Sequence, residues 1–240
     1  MLFLALWACD GKTITTTGEL GRLNYVLEST YKIESSSLNE AKLVTGYPQE
    51  ISADLTLDGW KVVKEEPFMV HHSSPDEIVT DNEGLLSGEI GVPNFSVQSD
   101  ISGTFLVESK FKDELLDQIH LDFVTPDEIS VVSWIRAPET ETFEEKLGEN
   151  ISVPLGAQAA FIPIPKYEGE RIIGDVDVEI TVDPPGAATV GYNIETVSED
   201  GVTANSSPAS IYFVESGTVS IGATDIINNV TTWQQFTVGD

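Results

Sequence analysis

The sequence predicts an all-β chain folded as two tandem sandwiches, and three observations carry that expectation. Apolar and polar side chains alternate with a period of two through most readable segments, the pattern of a half-buried sheet. The alternating runs are short and are punctuated by Gly, Pro, Asp and Asn, as in sandwiches. The chain has 240 residues, 40% of them hydrophobic, which exceeds one ordinary sandwich and supplies a core for each of two.

The chain opens Met1-Leu2-Phe3-Leu4-Ala5-Leu6-Trp7-Ala8-Cys9-Asp10, so its single cysteine closes a short apolar run. With Leu6 three residues before Cys9 and Ala8 immediately before it, this start resembles a bacterial lipoprotein signal. The resemblance implies cleavage before Cys9, lipidation of its thiol and a stable anchor of several acyl chains. The run has no basic residue before it, and its eight residues lie at the short end of roughly 7–15. A start codon set downstream of the natural one would explain both. The competing expectation is a buried N-terminal strand with a structural cysteine. Residues 1–8 are thus read as the remnant of a signal. Residues 9–17, through Gly11-Lys12-Thr13-Ile14-Thr15-Thr16-Thr17, are read as lipidated cysteine and polar tether. No later stretch is long and apolar enough to span a bilayer.

The first domain is expected over 18–125. Leu23, Tyr25 and Leu27 alternate in its first strand. Ile51, Ala53, Leu55 and Leu57 share one face of the next, and Asp58-Gly59 turns it into Trp60-Lys61-Val62-Val63 as a hairpin. Phe105 and Val107 follow Gly103. Phe111, Leu115, Leu116 and Ile119 have the spacing of one helical turn, and Ile119, Leu121 and Phe123 alternate again. The boundary falls near Thr125-Pro126. Pro75-Asp76-Glu77-Ile78 recurs there as Pro126-Asp127-Glu128-Ile129, a turn that leads into a strand in both places.

The second domain is expected over 126–240. Its first strand runs from Pro126 to Ile135. The acidic stretch from Ala137 to Gly148 reads as a solvated loop or short helix. Val153-Pro154-Leu155-Gly156 turns into Ala157-Gln158-Ala159-Ala160-Phe161. From Asp175 to Val182 the alternation is unbroken, with Val176, Val178, Ile180 and Val182 facing inward, and Pro184-Pro185-Gly186 ends it. Val190, Tyr192 and Ile194 follow, then Ile211 to Val214. Glu215-Ser216-Gly217 turns back into Val219 and Ile221, and Trp233, Phe236 and Val238 lie in the last strand.

On these residues the second half resembles the bacterial immunoglobulin-like (Big-type) domains. The best match is Gly217-Thr218-Val219-Ser220-Ile221-Gly222-Ala223, similar to the strand that closes such sandwiches. The first half shares only the strand spacing and is read as immunoglobulin-like by analogy. The resemblance implies two tandem immunoglobulin-like β-sandwiches acting as stalk, spacer or binding modules; a fold by itself does not fix a function.

Forty acidic residues against twelve basic ones give a net charge of −28. Such a surface repels phosphate backbones and anionic headgroups, which argues against nucleic acid and against docking of the body on a membrane. One cysteine allows no intrachain disulfide and no thiolate metal cluster. No nucleophile elbow, paired-histidine zinc motif or phosphate loop occurs. A hydrolase would have to use His71, His72 or His120. The first two, as neighbours on a strand, point to opposite faces, and His120 shares the solvent face with Gln118 and Asp122. Calcium is the one candidate cofactor. Its candidate ligands are Asp175, Asp177 and Glu179, which stand ~7 Å apart at alternate strand positions and need a second element to close a site. The acidic turns Asp81-Asn82-Glu83-Gly84 and Glu199-Asp200-Gly201 add Asp81, Glu83 and Asp200. Trp60, Trp134 and Trp233 are candidates for a sugar-stacking platform. The expected function is therefore non-enzymatic: a lipid-anchored envelope protein presenting immunoglobulin-like domains to a protein or glycan. A calcium- or glycan-dependent adhesion module is the alternative.

Overall fold

The computed structural model describes residues 12–29, 37–55, 68–81, 83–86, 94–111, 113–140, 142–146, 148–191 and 209–239. The apolar run 1–8, Cys9, the hairpin expected around Asp58-Gly59 with Trp60, and residues 192–200 lie outside them. The chain divides into two compact units. One runs up to Pro126 and takes in Glu170–Gly174; the other comprises Asp127–Gly169 and Asp175–Asp240.

In the first unit the strands are Lys12–Thr17 (β1), Leu23–Ser29 (β2), Lys42–Val44 (β3), Gln49–Leu55 (β4), Phe68–Ser73 (β5), Val79–Asp81 (β6), Glu83–Leu86 (β7), Asn94–Val97 (β8), Gly103–Phe111 (β9) and Glu114–Val124 (β10). They form two sheets, ordered β1-β2-β4-β8-β6 and β3-β10-β9-β5-β7. Alternation decides what lies between them. Leu23, Tyr25, Leu27, Ile51, Ala53 and Phe95 come from one sheet, and Val107, Ile119, Leu121 and Phe123 from the other, all buried.

The second unit has Glu128–Arg136 (β11), Glu144–Lys146 (β12), Asn150–Pro154 (β13) and Gln158–Tyr167 (β14). After Glu170–Arg171 (β15), which belongs to the first unit, come Val178–Asp183 (β16), Ala188–Gly191 (β17), Ala209–Phe213 (β18), Gly217–Asp225 (β19) and Thr231–Gly239 (β20). Its sheets are ordered β12-β11-β14-β18-β17 and β13-β20-β19-β16. Phe161, Ile211, Phe213, Val219, Ile221 and Phe236 fill its core, with the rings of Phe213 and Phe236 4.9 Å apart.

The two units share one strand order. Across the sheets, β2-β4-β8-β6 matches β11-β14-β18-β17, and β5-β9-β10 matches β16-β19-β20. A short strand runs parallel to the last one in each, β3 to β10 and β13 to β20. These are the A-B-E-D and C-F-G sheets of the immunoglobulin sandwich. The chain is all-β, two immunoglobulin-like sandwiches in tandem. The repeated Pro-Asp-Glu-Ile occupies different places in them, between β5 and β6 and across the start of β11. It is recurrent turn chemistry rather than a mark of equivalent positions.

Four expectations change. Lys12–Thr17 is not tether: it pairs along its whole length with β2. Its β-branched residues alternate, with Ile14 and Thr16 buried and Thr13, Thr15 and Thr17 exposed. Phe111 to Ile119 is not helical but the β9–β10 hairpin, with Asp113 at φ 66° in the turn. A bulge between Leu115 and Asp117 shifts the register and breaks the period of two, which gave the run its helix-like spacing. The acidic stretch after Ala137 makes a turn and then β12, an exposed charged strand on the edge beside β11; charge on an edge discourages further pairing. Finally, the strand expected from Asp175 starts only at Val178. The chain just before it is held elsewhere: Ile173 N–H donates to Lys42 O, and Val44 N–H donates to Ile173 O, each at 2.8 Å.

That attachment makes Gly174 a demanding position. Its φ is +132°, and a Cβ there would run into Val44 Cγ1 and stand 2.7 Å from Gln49 Nε2. Gly174→Ala is expected to destabilise the first unit by roughly 2 kcal/mol, from strain and displaced packing together. Urea unfolding followed by amide exchange in β3 and β4 checks it.

Candidate functional site

The histidines separate as their places on strands dictate. His71 is exposed and His72 is fully buried. On the adjacent strand β9, Ser109 Oγ lies 2.9 Å from His72 Nδ1 and 2.8 Å from the hydroxyl of Tyr25. His72 stacks on Phe95 with ring centroids 4.1 Å apart. Its Nε2 is buried and has no hydrogen-bond partner among the described residues. Burial, with the neighbouring His71 second, pushes the pKa of His72 down to about 4. Burial likewise raises that of Tyr25. This is a Ser–His contact without an acid and without solvent: His72 and Ser109 are both 0% exposed. His120 lies on the opposite, outer side of its strand. Its Nδ1 is 2.7 Å from Glu19 Oε1, and the Gln118 amide donates to the same carboxylate. Those two contacts, the Gln118 bond first, hold Glu19 below the usual carboxylate range. Among the described residues no histidine hydrogen-bonds both a serine and a carboxylate.

The candidate calcium ligands do not converge. Asp175 and Asp177 precede β16, and Glu179 lies within it with its side chain in solvent. Asp81 ends β6 and Glu83 begins β7, strands that pair into different sheets. Asp200 and the lipidation candidate Cys9 lie outside the described residues. Among those residues, no three of His, Cys, Asp or Glu are grouped to hold a metal ion.

Two carboxylates that sequence reasoning passed over are fully buried and accept several hydrogen bonds each. Asp117 is fully buried. Its Oδ1 accepts from the backbone N–H groups of Leu20 and Gln118, and its Oδ2 from those of Arg22 and Leu23. It ties the β1–β2 turn to β10, and Gly18 leaves the room it fills. Asp225 is also fully buried and folds the β19–β20 turn, accepting from the backbone of Ile227 and Asn228 and from the Asn228 amide. The signal was there to be read. Asp117 shares its alternation with Ile119, Leu121 and Phe123, and Asp225 with Val219, Ile221 and Ala223. An acid in the buried register has to find donors.

The tryptophans also part company. Trp60 lies outside the described residues. Trp134 is half-buried on β11, with a buried indole nitrogen. Trp233 stands on the outer face of the β13-β20-β19-β16 sheet with 55% of its surface exposed. It is paired in register with Gly222. Trp233 therefore does not share a platform with Trp134, which is on the other sheet.

No family model matches the chain, and no curated protein does. Solved structures with a similar course include a C-terminal 282-residue fragment of intimin in complex with the intimin-binding domain of its translocated receptor. That likeness has 14% identity over 83% of this chain and a TM-score of 0.33, and the chain spans 62% of the fragment. Domains 4 and 5 of the S-layer protein SbsC match at 15% identity over 97% of this chain and 94% of theirs, with a TM-score of 0.31. The Yersinia pseudotuberculosis adhesin InvE matches at 10% identity over 84% of this chain and 57% of its own, with a TM-score of 0.30. Scores this low carry no argument about partner or activity, and the fold rests on the strand order above.

Proposed function

We propose that this chain is a non-enzymatic, lipid-anchored protein of a bacterial cell envelope whose paired immunoglobulin-like sandwiches present binding surfaces to a protein or glycan. The observation that carries the reading is the single cysteine, Cys9, closing an apolar run with Leu6 and Ala8 in the places a lipoprotein peptidase requires. The interior polar groups support the non-enzymatic part. Asp117, Asp225 and His72 are spent on holding turns and packing the core. The net charge of −28 disfavours nucleic acid as partner. Because β1 begins at Lys12, a lipid on Cys9 would be followed within ~10 Å of extended chain by the first sandwich. The first unit would sit close to the membrane rather than on a long stalk.

Incorporation of a labelled fatty acid tests this, in wild type and Cys9→Ala, each expressed with the natural upstream codons and fractionated. Label and membrane association that both vanish in Cys9→Ala are the expected result. A wild-type chain without label, soluble in the cytoplasm, would overturn the anchor and the location together.

A further inference from the structure

We infer that the outer face of the β13-β20-β19-β16 sheet is a binding platform for a neutral hexopyranose of a glycan, with Trp233 as its stacking ring. The orientation of the ring comes from Gly222. A Cβ placed on that glycine would lie 3.0, 3.0 and 3.1 Å from three consecutive atoms of the six-membered ring, Cη2, Cζ3 and Cζ2. An edge-on ring would put one atom well ahead of its neighbours. Near-equal distances mean that the ring lies face-down over the glycine, parallel to the sheet. Covering a glycine in this way supports the strand pairing and uses one face of the indole. The other face is turned outward, consistent with an exposure of 55%.

What surrounds the ring selects the occupant. Every other outward position on the central strands β19 and β20 is Gly, Ser, Thr or Gln. Thr231 and Gln235 stand ~7 Å to either side of Trp233 along β20, within reach of the hydroxyl rim of a sugar lying on the indole. The next strand on one side, β16, adds the exposed carboxylates Glu179 and Asp183, and β13 on the other adds Asn150 beside Gln235. A pyranose offers C–H groups of partial positive charge to the negative face of an aromatic ring and hydroxyls at its rim. Hydroxyl, amide and carboxylate side chains are the partners those hydroxyls need. A protein hot spot instead clusters several anchoring aromatic or Arg residues in a desolvated patch, and this face holds one aromatic ring. An acidic sugar would meet Glu179, Asp183 and the field of a chain at −28. The inference does not involve Cys9, so a Cys9→Ala chain retains the platform whether or not the anchor exists.

The test presents the purified full chain to immobilised neutral polysaccharides (a glucan, a mannan and a galactan) and to polylysine, at low and high salt. Binding to at least one polysaccharide is expected. It should be indifferent to salt, fall about tenfold or more in Trp233→Ala and fall severalfold in Gln235→Ala, a variant whose melting temperature matches wild type. Gly222→Ala, which pushes against the ring, should weaken it as well. The inference is overturned by no binding to any of the three, or by binding that survives Trp233→Ala. It is also overturned by binding to polylysine alone that collapses with salt, which would make Trp233 a cation–π contact for a basic peptide.

Discussion

Asp117→Ala is expected to destabilise the first unit by about 3 kcal/mol or more, the large end of single-residue effects. The residue is fully buried and takes four backbone N–H groups, from Leu20, Arg22, Leu23 and Gln118, at 2.7–2.8 Å. Truncation strands donors that have left water, and it also empties the space that Gly18 keeps open beneath the carboxylate. Asp117→Asn should be nearly as damaging. An amide offers one acceptor oxygen and turns two donors toward donors. Asp117→Glu fails for a different reason, because the added methylene has Gly18 in its way. Asp122→Ala is the control. It lies on the same strand, half-exposed, accepting a hydrogen bond of 3.3 Å from Thr104, and should stay within ~0.5 kcal/mol. Urea midpoints decide the matter, read as amide exchange in β2 and β10 against β19 and β20. The midpoint should fall for the first unit with an unchanged slope. Equal midpoints for Asp117→Ala and Asp122→Ala would show that the carboxylate contributes nothing beyond its surface neighbour.

The sequence was most legible where one face of a sheet is buried along its whole length. Leu23, Tyr25 and Leu27, or Ile119, Leu121 and Phe123, can alternate only one way, so their strands and facing follow from the residues alone. It was least legible where the pairing is made by distant chain. Lys12–Thr17 looks like a polar linker until β2 is placed beside it. Gly174 stands just before the run that alternates from Asp175, yet its conformation serves Val44 and Gln49, more than a hundred positions earlier. The bulge at Leu115/Asp117 is a two-strand event that the local spacing disguised as a helical turn. Trp233 was readable as a surface residue, since it is three positions from the buried Phe236 and so faces the other way. That a glycine lies under it depends on the β19–β20 register.

His72 should give the first unit a stability that is lost on acidification. Its ring is fully buried, stacked on Phe95 and bonded through Nδ1 to Ser109. Protonation would add an N–H on a ring whose Nε2 has no partner among the described residues. Attraction of the cation to Phe95 offsets about 1 kcal/mol of that cost. The other titratable groups nearby do not relieve it. Tyr25 faces His72 through Ser109 and is itself kept neutral by burial, His71 is a like charge when protonated, and Lys110 on β9 is already paired with Glu108 at 2.6 Å. The folded-state pKa is about 4 against ~6.5 in the unfolded chain. Above ~6.5 neither state binds the proton and the stability is whole. Between 6.5 and 4 only the unfolded chain binds it, and stability falls with falling pH by up to about 3 kcal/mol; below 4 this residue adds no further loss. Many carboxylates titrate over the lower part of that window, so the comparison is wild type against His72→Phe, which keeps an aromatic stack and removes the proton. The wild-type urea midpoint should drop more steeply than that of His72→Phe between pH 6.5 and 4, and the two should run parallel above pH 7. Parallel curves throughout would mean that the imidazole is charged or solvated in the folded protein, contrary to its place between β5, β9 and Phe95.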